Sequence, residues 1–160
     1  MMQTKILFVC LGNICRSPAA EGVFKKLLQN NNISKGYYVD SAGTSGLHAG
    51  EYADKRMISE AIKFDIDLTS KSRKFIKEDF NRFDYIIVMD DENYRNVLKL
   101  DNHGEYQHKV SKMTDYASGK FSKYKFVPDP YYGGQDGFTL VLNLLENACN
   151  GLFLDIEKAT

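Results

Sequence analysis

The chain has 160 residues, 43% of them hydrophobic, which is enough to bury one sizeable core but short for two, so one domain over residues 1–160 is expected. Lysine plus arginine equals aspartate plus glutamate at 21 each, so there is no global field to draw in nucleic acid or an anionic membrane, and any attraction for an anion must be local. Three cysteines, an odd number, do not form a disulfide framework and fit a reducing, cytoplasmic setting.

Lys5 followed by Ile6 to Leu11 resembles the core of a short signal peptide. Asn13 and Arg16 break that run, and Val9 stands before the cysteine where a lipoprotein signal needs a small residue, so no signal is expected. No apolar run reaches the length of about 18 residues needed to span a bilayer, so no membrane insertion is expected.

Thr4 to Cys10 is apolar without alternation, the pattern of a central strand covered on both faces. From Ser17 the spacing turns helical: Val23, Phe24, Leu27 and Leu28 share a face, Ser17 is placed as N-cap and Pro18 as first helical residue, and Asn30 to Asn32 ends the run. Tyr37 to Ala42 predicts a second strand, followed by the loop Gly43-Thr44-Ser45-Gly46. A helix is predicted over Asp54 to Phe64. The basic run Lys71, Arg73, Lys74 and Lys77 reads mostly as a solvated face, with steering of anionic substrates as the lesser reading.

Tyr85 to Met89 predicts a third strand, and Asp90, Asp91 and Glu92 open a helix to about Leu100, where their charge complements the dipole. Lys109 to Met113 is a weaker strand candidate, and 118–125 reads as loop. Val127 to Gly134 holds two prolines and two glycines, which predicts an irregular loop carrying Asp129, Tyr131 and Tyr132. Apolar residues from Phe138 to Ile156 recur at three and four, a long C-terminal helix that Gly151 could kink. Strands alternating with helices imply an α/β fold: an open, twisted parallel sheet with helices on both faces and its sites outside the carboxyl ends of the strands.

The chemistry concentrates in Cys10-Leu11-Gly12-Asn13-Ile14-Cys15-Arg16-Ser17, between the first strand and the first helix. A tetrahedral dianion is bound by inward-turned backbone N–H groups, by the positive end of a helix and by a guanidinium that grips two oxygens at once. This stretch can supply all three, with Gly12 and Asn13 expected at the positive φ values that build such nests. The same field favours thiolate over thiol, so Cys10 is placed to attack a bound phosphorus, and Ser17 to donate a hydrogen bond to its sulfur. A leaving oxygen then needs a proton, for which Asp129 is the candidate, with Tyr131 and Tyr132 as walls for an aromatic substrate.

Plainer readings exist for each. Cys10 and Cys15 in isolation would be ordinary buried thiols, Asp129 a turn initiator before proline, Ser41 a turn cap, and the tyrosines packing residues. His48, His103, His108 and Cys149 show no metal-ligand spacing, and Cys149 lies on the apolar stripe of the last helix.

Taken together, Cys10 to Ser17 followed by Pro18 and Glu21, Asp40-Ser41-Ala42-Gly43, and Asp129-Pro130-Tyr131 resemble the low-molecular-weight protein-tyrosine-phosphatase family over nearly the whole chain. The resemblance implies a four-stranded parallel sheet, no cofactor and no metal, and hydrolysis of phosphotyrosine. It makes Cys10 the nucleophile, Arg16 the phosphate clamp and Asp129 the general acid. Asn13, Ser17 and Ser41 become the hydrogen-bond network that holds the loop, Leu11 and Gly12 part of the cradle, and Ile14 and Tyr131 the apolar walls. Cys15 becomes the partner for a protective disulfide with Cys10. Implied partners are phosphotyrosine proteins or peptides and a cognate tyrosine kinase, with the chain a monomer or weak dimer.

Leu47 departs from the family, since many relatives carry an aromatic residue at that rim position. Two rival chemistries share the loop. Thiol-dependent arsenate reductases need further cysteines, and none lies between Cys15 and Cys149. Protein-arginine phosphatases tend to carry Thr where Ile14 stands.

Overall fold

The computed structural model describes residues 2–160. Four strands, β1 (Thr4–Cys10), β2 (Tyr37–Gly43), β3 (Tyr85–Val88) and β4 (Val110–Lys112), form one parallel sheet in the order β2-β1-β3-β4. The helices are α1 (Arg16–Asn30), α2 (Lys55–Lys63), α3 (Asp79–Arg82), α4 (Asp91–Leu98) and α5 (Gln135–Ala159).

The absence of alternation in β1 follows from burial on both faces. Ile6 and Phe8 pack with Phe24 of α1 and with Leu145 and Leu152 of α5. Leu7 and Val9 pack on the other face with Phe75, Phe80 of α3 and Val97 of α4. A strand with apolar neighbours above and below has no position at which a polar residue is tolerated.

Several local expectations are corrected. α1 begins at Arg16, so Ser17 lies within the first turn and is not the N-cap; the N-cap position is Cys15, which makes no side-chain capping bond. The Ser17 hydroxyl instead lies 3.0 Å from Cys10 Sγ. Asp54 caps α2, with Oδ1 accepting from the Arg56 N–H at 2.8 Å. α3 was not foreseen, and a four-residue helix offers too few positions for a period to show. The loop around Asp129 contains a short 3₁₀ turn, Pro130–Tyr132, with Asp129 as its cap.

α5 runs unbroken through Gly151. The glycine is there for close approach: a Cβ would lie 2.1 Å from the Tyr116 carbonyl oxygen. Among the described residues, no helix is long and apolar enough to cross a membrane.

Candidate active site

The middle strand β1 delivers Cys10 to the carboxyl edge of the sheet, and the chain reverses through residues 11–15 before α1 begins. That reversal is held from outside by its carbonyl groups. The Cys10 and Leu11 carbonyls accept from the N–H groups of Thr44 and Ser45, each at 2.9 Å, and the Ile14 carbonyl accepts from Asp54 at 2.8 Å. The Gly12 carbonyl accepts from the Ser72 hydroxyl at 3.0 Å. Among the described residues, no acceptor engages the N–H groups of residues 12–16. Donors left free beside a helix N-terminus form an anion nest.

Asn13 adopts φ +55°, the left-handed turn that the loop requires. Gly12 does not, contrary to expectation; its missing side chain makes room for His48, whose Cδ2 would lie 3.2 Å from a Cβ there. Asn13 is pinned at both ends, its Nδ2 donating to Ser17 Oγ at 2.7 Å and its Oδ1 accepting from the Arg73 N–H at 3.0 Å. Ser17 Oγ lies 3.0 Å from Cys10 Sγ and 3.3 Å from the Ala42 carbonyl, so its one proton serves either the sulfur or that carbonyl.

Arg16 is buried at 3% exposure. Its Nη1 donates to Asp90 Oδ2 at 2.7 Å and to the Val127 carbonyl at 3.0 Å, and its Nη2 lies 3.5 Å from Asp129 Oδ2. Burial alone would loosen the guanidinium proton, but Cys10, the Asp90 hydrogen bond and Asp129 outweigh it and hold the group above its ordinary value. Asp129 also accepts from the Tyr131 N–H at 3.1 Å, so it both starts a turn and faces Arg16.

Burial pushes the Cys15 thiol up, with Asp54, Cys10 and Asp129 adding in the same direction. A thiol so placed stays protonated at neutral pH. Burial likewise raises Cys149, which lies in the core. All three cysteines are free.

A cavity of about 230 Å³ opens above Cys10 and reaches Arg16 and Asp129. Leu11, Gly12, Ile14 and Cys15 line it from the loop, and Leu47, Tyr131 and Tyr132 from its mouth. Leu47 and Tyr132 are 80% and 90% exposed, whereas Tyr131 is held by the Arg56 guanidinium, 5.5 Å from its ring, which also donates to its carbonyl at 3.0 Å. Tyr131 is therefore held more firmly than Tyr132, whose ring meets it edge-on at 4.9 Å. A larger depression of about 450 Å³ lies behind α1, between Lys25, Lys26, Asp65 and Asp67, and has no cysteine or arginine in its lining.

Asn13 and Ser17 support the loop from behind the cavity, while Ser41 does not touch it. The Ser41 hydroxyl donates to Glu21 Oε1 at 2.6 Å, and that carboxylate also accepts from Ser70 and Lys25. Its link to the loop runs through α1. Arg73, which the basic run places on a solvated face, is structural and pairs with Asp40 and with buried Asp79, each at 3.0 Å, while its neighbour Ser72 holds Gly12. Asp90 shows in the sequence only a helix-start charge, yet it holds Arg16, and His48 and Ser45 line the cavity with no local signal that marks them. The signal that could have found Asp90 is its place at the carboxyl end of β3, next to β1.

A model of the low molecular weight phosphotyrosine protein phosphatase family matches residues 5–160. A Synechocystis protein named provisionally as a low molecular weight protein-tyrosine-phosphatase is 47% identical over 154 residues, 96% of this chain and 97% of that one. The human low molecular weight phosphotyrosine protein phosphatase is 40% identical over 156 residues, 96% of this chain and 94% of that one. The crystal structure of a protein tyrosine phosphatase from Entamoeba histolytica with Hepes in its active site superposes with a TM-score of 0.94 at 44% identity, covering 98% of this chain and 99% of that one. With the family matched over nearly its whole length and its relatives named as enzymes, the chain belongs to the low molecular weight phosphotyrosine protein phosphatase family and is a phosphatase.

Proposed function

We propose that this phosphatase hydrolyses phosphotyrosine in proteins and peptides, and small aryl phosphates, through a cysteinyl-phosphate on Cys10. The observation that carries the reading is a single cavity in which Cys10, Arg16, Asp129 and the Tyr131 ring meet. The free N–H groups of residues 12–16 receive the phosphoryl oxygens. Asp90 and the Val127 carbonyl occupy Nη1 of Arg16, which leaves its Nε–Nη2 edge for two of those oxygens. The Cys10 thiolate attacks phosphorus, an S–P bond forms as the P–O bond to tyrosine breaks, and protonated Asp129 gives its proton to the departing phenolate. Asp129, now a carboxylate, takes a proton from water as that water attacks phosphorus, which releases phosphate and restores the thiolate. Ser17 steadies the sulfur in both steps.

Ile14 and Tyr131 favour an aromatic leaving group over phosphoarginine. Cys149, buried in the core, offers no relay for arsenate reduction. The same reading makes Cys15 the partner of an oxidised Cys10: peroxide converts the thiolate to a sulfenic acid, and the Cys15 thiol displaces its oxygen as water to form a disulfide. It also places the chain in the cytoplasm, as a monomer or weak dimer opposed to a tyrosine kinase.

The test is turnover of matched phosphotyrosine and phosphoarginine peptides. Phosphotyrosine is expected to be hydrolysed faster, with Cys10→Ser inactive and Asp129→Ala slowed by roughly 10²–10⁴-fold. Preference for phosphoarginine, or activity retained by Cys10→Ser, would refute the reading.

A further inference from the structure

Two arginines hold the turn that carries Asp129. Arg16 reaches it from the cavity, with Nη2 3.5 Å from Asp129 Oδ2 and Nη1 donating to the Val127 carbonyl at 3.0 Å. Arg56, the second residue of α2, is the other, and it is not among the residues that line the cavity.

The pose of Arg56 is set by Asp54. Its Nε and Nη2 donate to Oδ1 and Oδ2 of that carboxylate at 3.0 and 2.8 Å, a fork that fixes the guanidinium plane. So fixed, Nη2 also donates to the Tyr131 carbonyl at 3.0 Å, and the guanidinium lies 4.8 Å from the Phe138 ring centroid. Asp54 is tied to the cradle in its turn, because its backbone N–H donates to the Ile14 carbonyl at 2.8 Å. At the far end, Tyr131 donates its N–H to Asp129 Oδ1 at 3.1 Å. Hydrogen bonds therefore link the loop that holds Cys10 to the carboxyl group of Asp129 through Asp54, Arg56 and Tyr131.

The turn has few other ties. Pro130 is buried beside Gly137 of α5, but Gly133 and Gly134 follow at once and Tyr132 stands exposed. Among the described residues, Arg56 makes the one side-chain hydrogen bond that reaches residues 128–134 from elsewhere in the chain. A reacting group misplaced by about 1 Å loses roughly a hundredfold in rate, so what fixes this turn fixes how well the proton is delivered.

We propose that Arg56 is a positioning residue for proton transfer: clamped by Asp54, it holds the Tyr131 turn so that Asp129 meets the leaving oxygen of a substrate whose phosphoryl group is bound over Cys10. Asp54 holds the Ile14 carbonyl and Arg56 the Tyr131 carbonyl, so this pair sets the spacing between cradle and acid. The assignment rests on the reading of Asp129 as general acid and deepens it.

The experiment measures kcat/KM, which covers the step that breaks the P–O bond, for phenyl phosphate and dinitrophenyl phosphate. Dinitrophenolate leaves with little help from an acid, whereas phenolate needs its proton. Arg56→Met is expected to lose roughly tenfold more on phenyl phosphate than on dinitrophenyl phosphate. A loosened Tyr131 wall would slow both alike, since both leaving groups are single benzene rings. In the Asp129→Ala background the same substitution is expected to add no such selectivity, because the acid it places is gone. Asp54→Asn keeps the N–H to Ile14 and an oxygen for the α2 cap but loses one arm of the fork. It is expected to show the same selectivity to a smaller degree, and it decides the matter if Arg56→Met folds poorly. Equal losses on the two substrates, or native rates on both, would overturn the proposal, as would a selective loss that persists without Asp129. An Asp129→Ala enzyme that slows both substrates equally would instead remove the acid assignment beneath it.

Discussion

Arg16 is buried, yet its guanidinium is held in a defined pose because its partners come from two separate segments: Asp90 just after β3, and Val127 and Asp129 from the chain beyond β4. An arginine so held loses little freedom when it meets a phosphoryl group. Asp90→Asn separates this role from helix capping. The retained carbonyl oxygen still accepts from the Asn93 N–H, a 2.8 Å bond in the native chain, whereas an amide nitrogen cannot accept from Arg16. Thermal unfolding should therefore change little while kcat/KM on an aryl phosphate falls by roughly a hundredfold; a variant with native rates would show that Asp90 does not position the arginine. At this scale, residues contiguous with the loop were legible in the sequence, because a nucleophile, an arginine and a hydroxyl at fixed spacing state their chemistry together. Asp90, Ser72 and Arg73 were not. Ser72 and Arg73 meet the loop across 60 positions and Asp90 meets Arg16 across 74, and although Asp79 is only six positions from Arg73, no local pattern reports that an arginine in a lysine-rich run is turned inward onto it.

Among the elements, β1, β2 and β3 and the helices α1, α2, α4 and α5 were readable to within a few residues, since burial on one or two faces leaves a period behind. The three-residue β4 lies inside the weaker strand candidate Lys109 to Met113, whereas the four-residue α3 is too short for a period to show. Gly151 shows the other limit. A glycine in a helix reads as a weak point, whereas here it admits the Tyr116 carbonyl to the helix surface, and only the packing of α5 on the turn Met113–Tyr116 reveals it. Gly151→Ala should destabilise the fold by about 1–3 kcal/mol, since backbone rather than a flexible side chain must give way. Chemical denaturation measures this directly. An unchanged midpoint would mean that α5 can shift freely, while kcat/KM per folded molecule should stay at the native value.

In the whole molecule, the strand order places the β1 loop between the exits of β2 and β3, so one edge of the sheet collects parts that are far apart in sequence. The exit of β2 supplies Leu47 and His48, the exit of β3 supplies Asp90, and the chain beyond β4 returns with Asp129 and Tyr131. On the proposed reading, that convergence lets a chain of zero net charge hold an anion, through a local field built from free N–H groups and one buried guanidinium. The central claim is that phosphoryl transfer passes through Cys10. It is tested most directly by acid-quenching Asp129→Ala during turnover of an aryl phosphate and locating the added phosphoryl mass by peptide mass spectrometry. One phosphoryl group on the peptide bearing Cys10, absent from Cys10→Ser, is the predicted result. Turnover with Cys10 unmodified at every quench time, or with Cys10→Ser fully active, would contradict it.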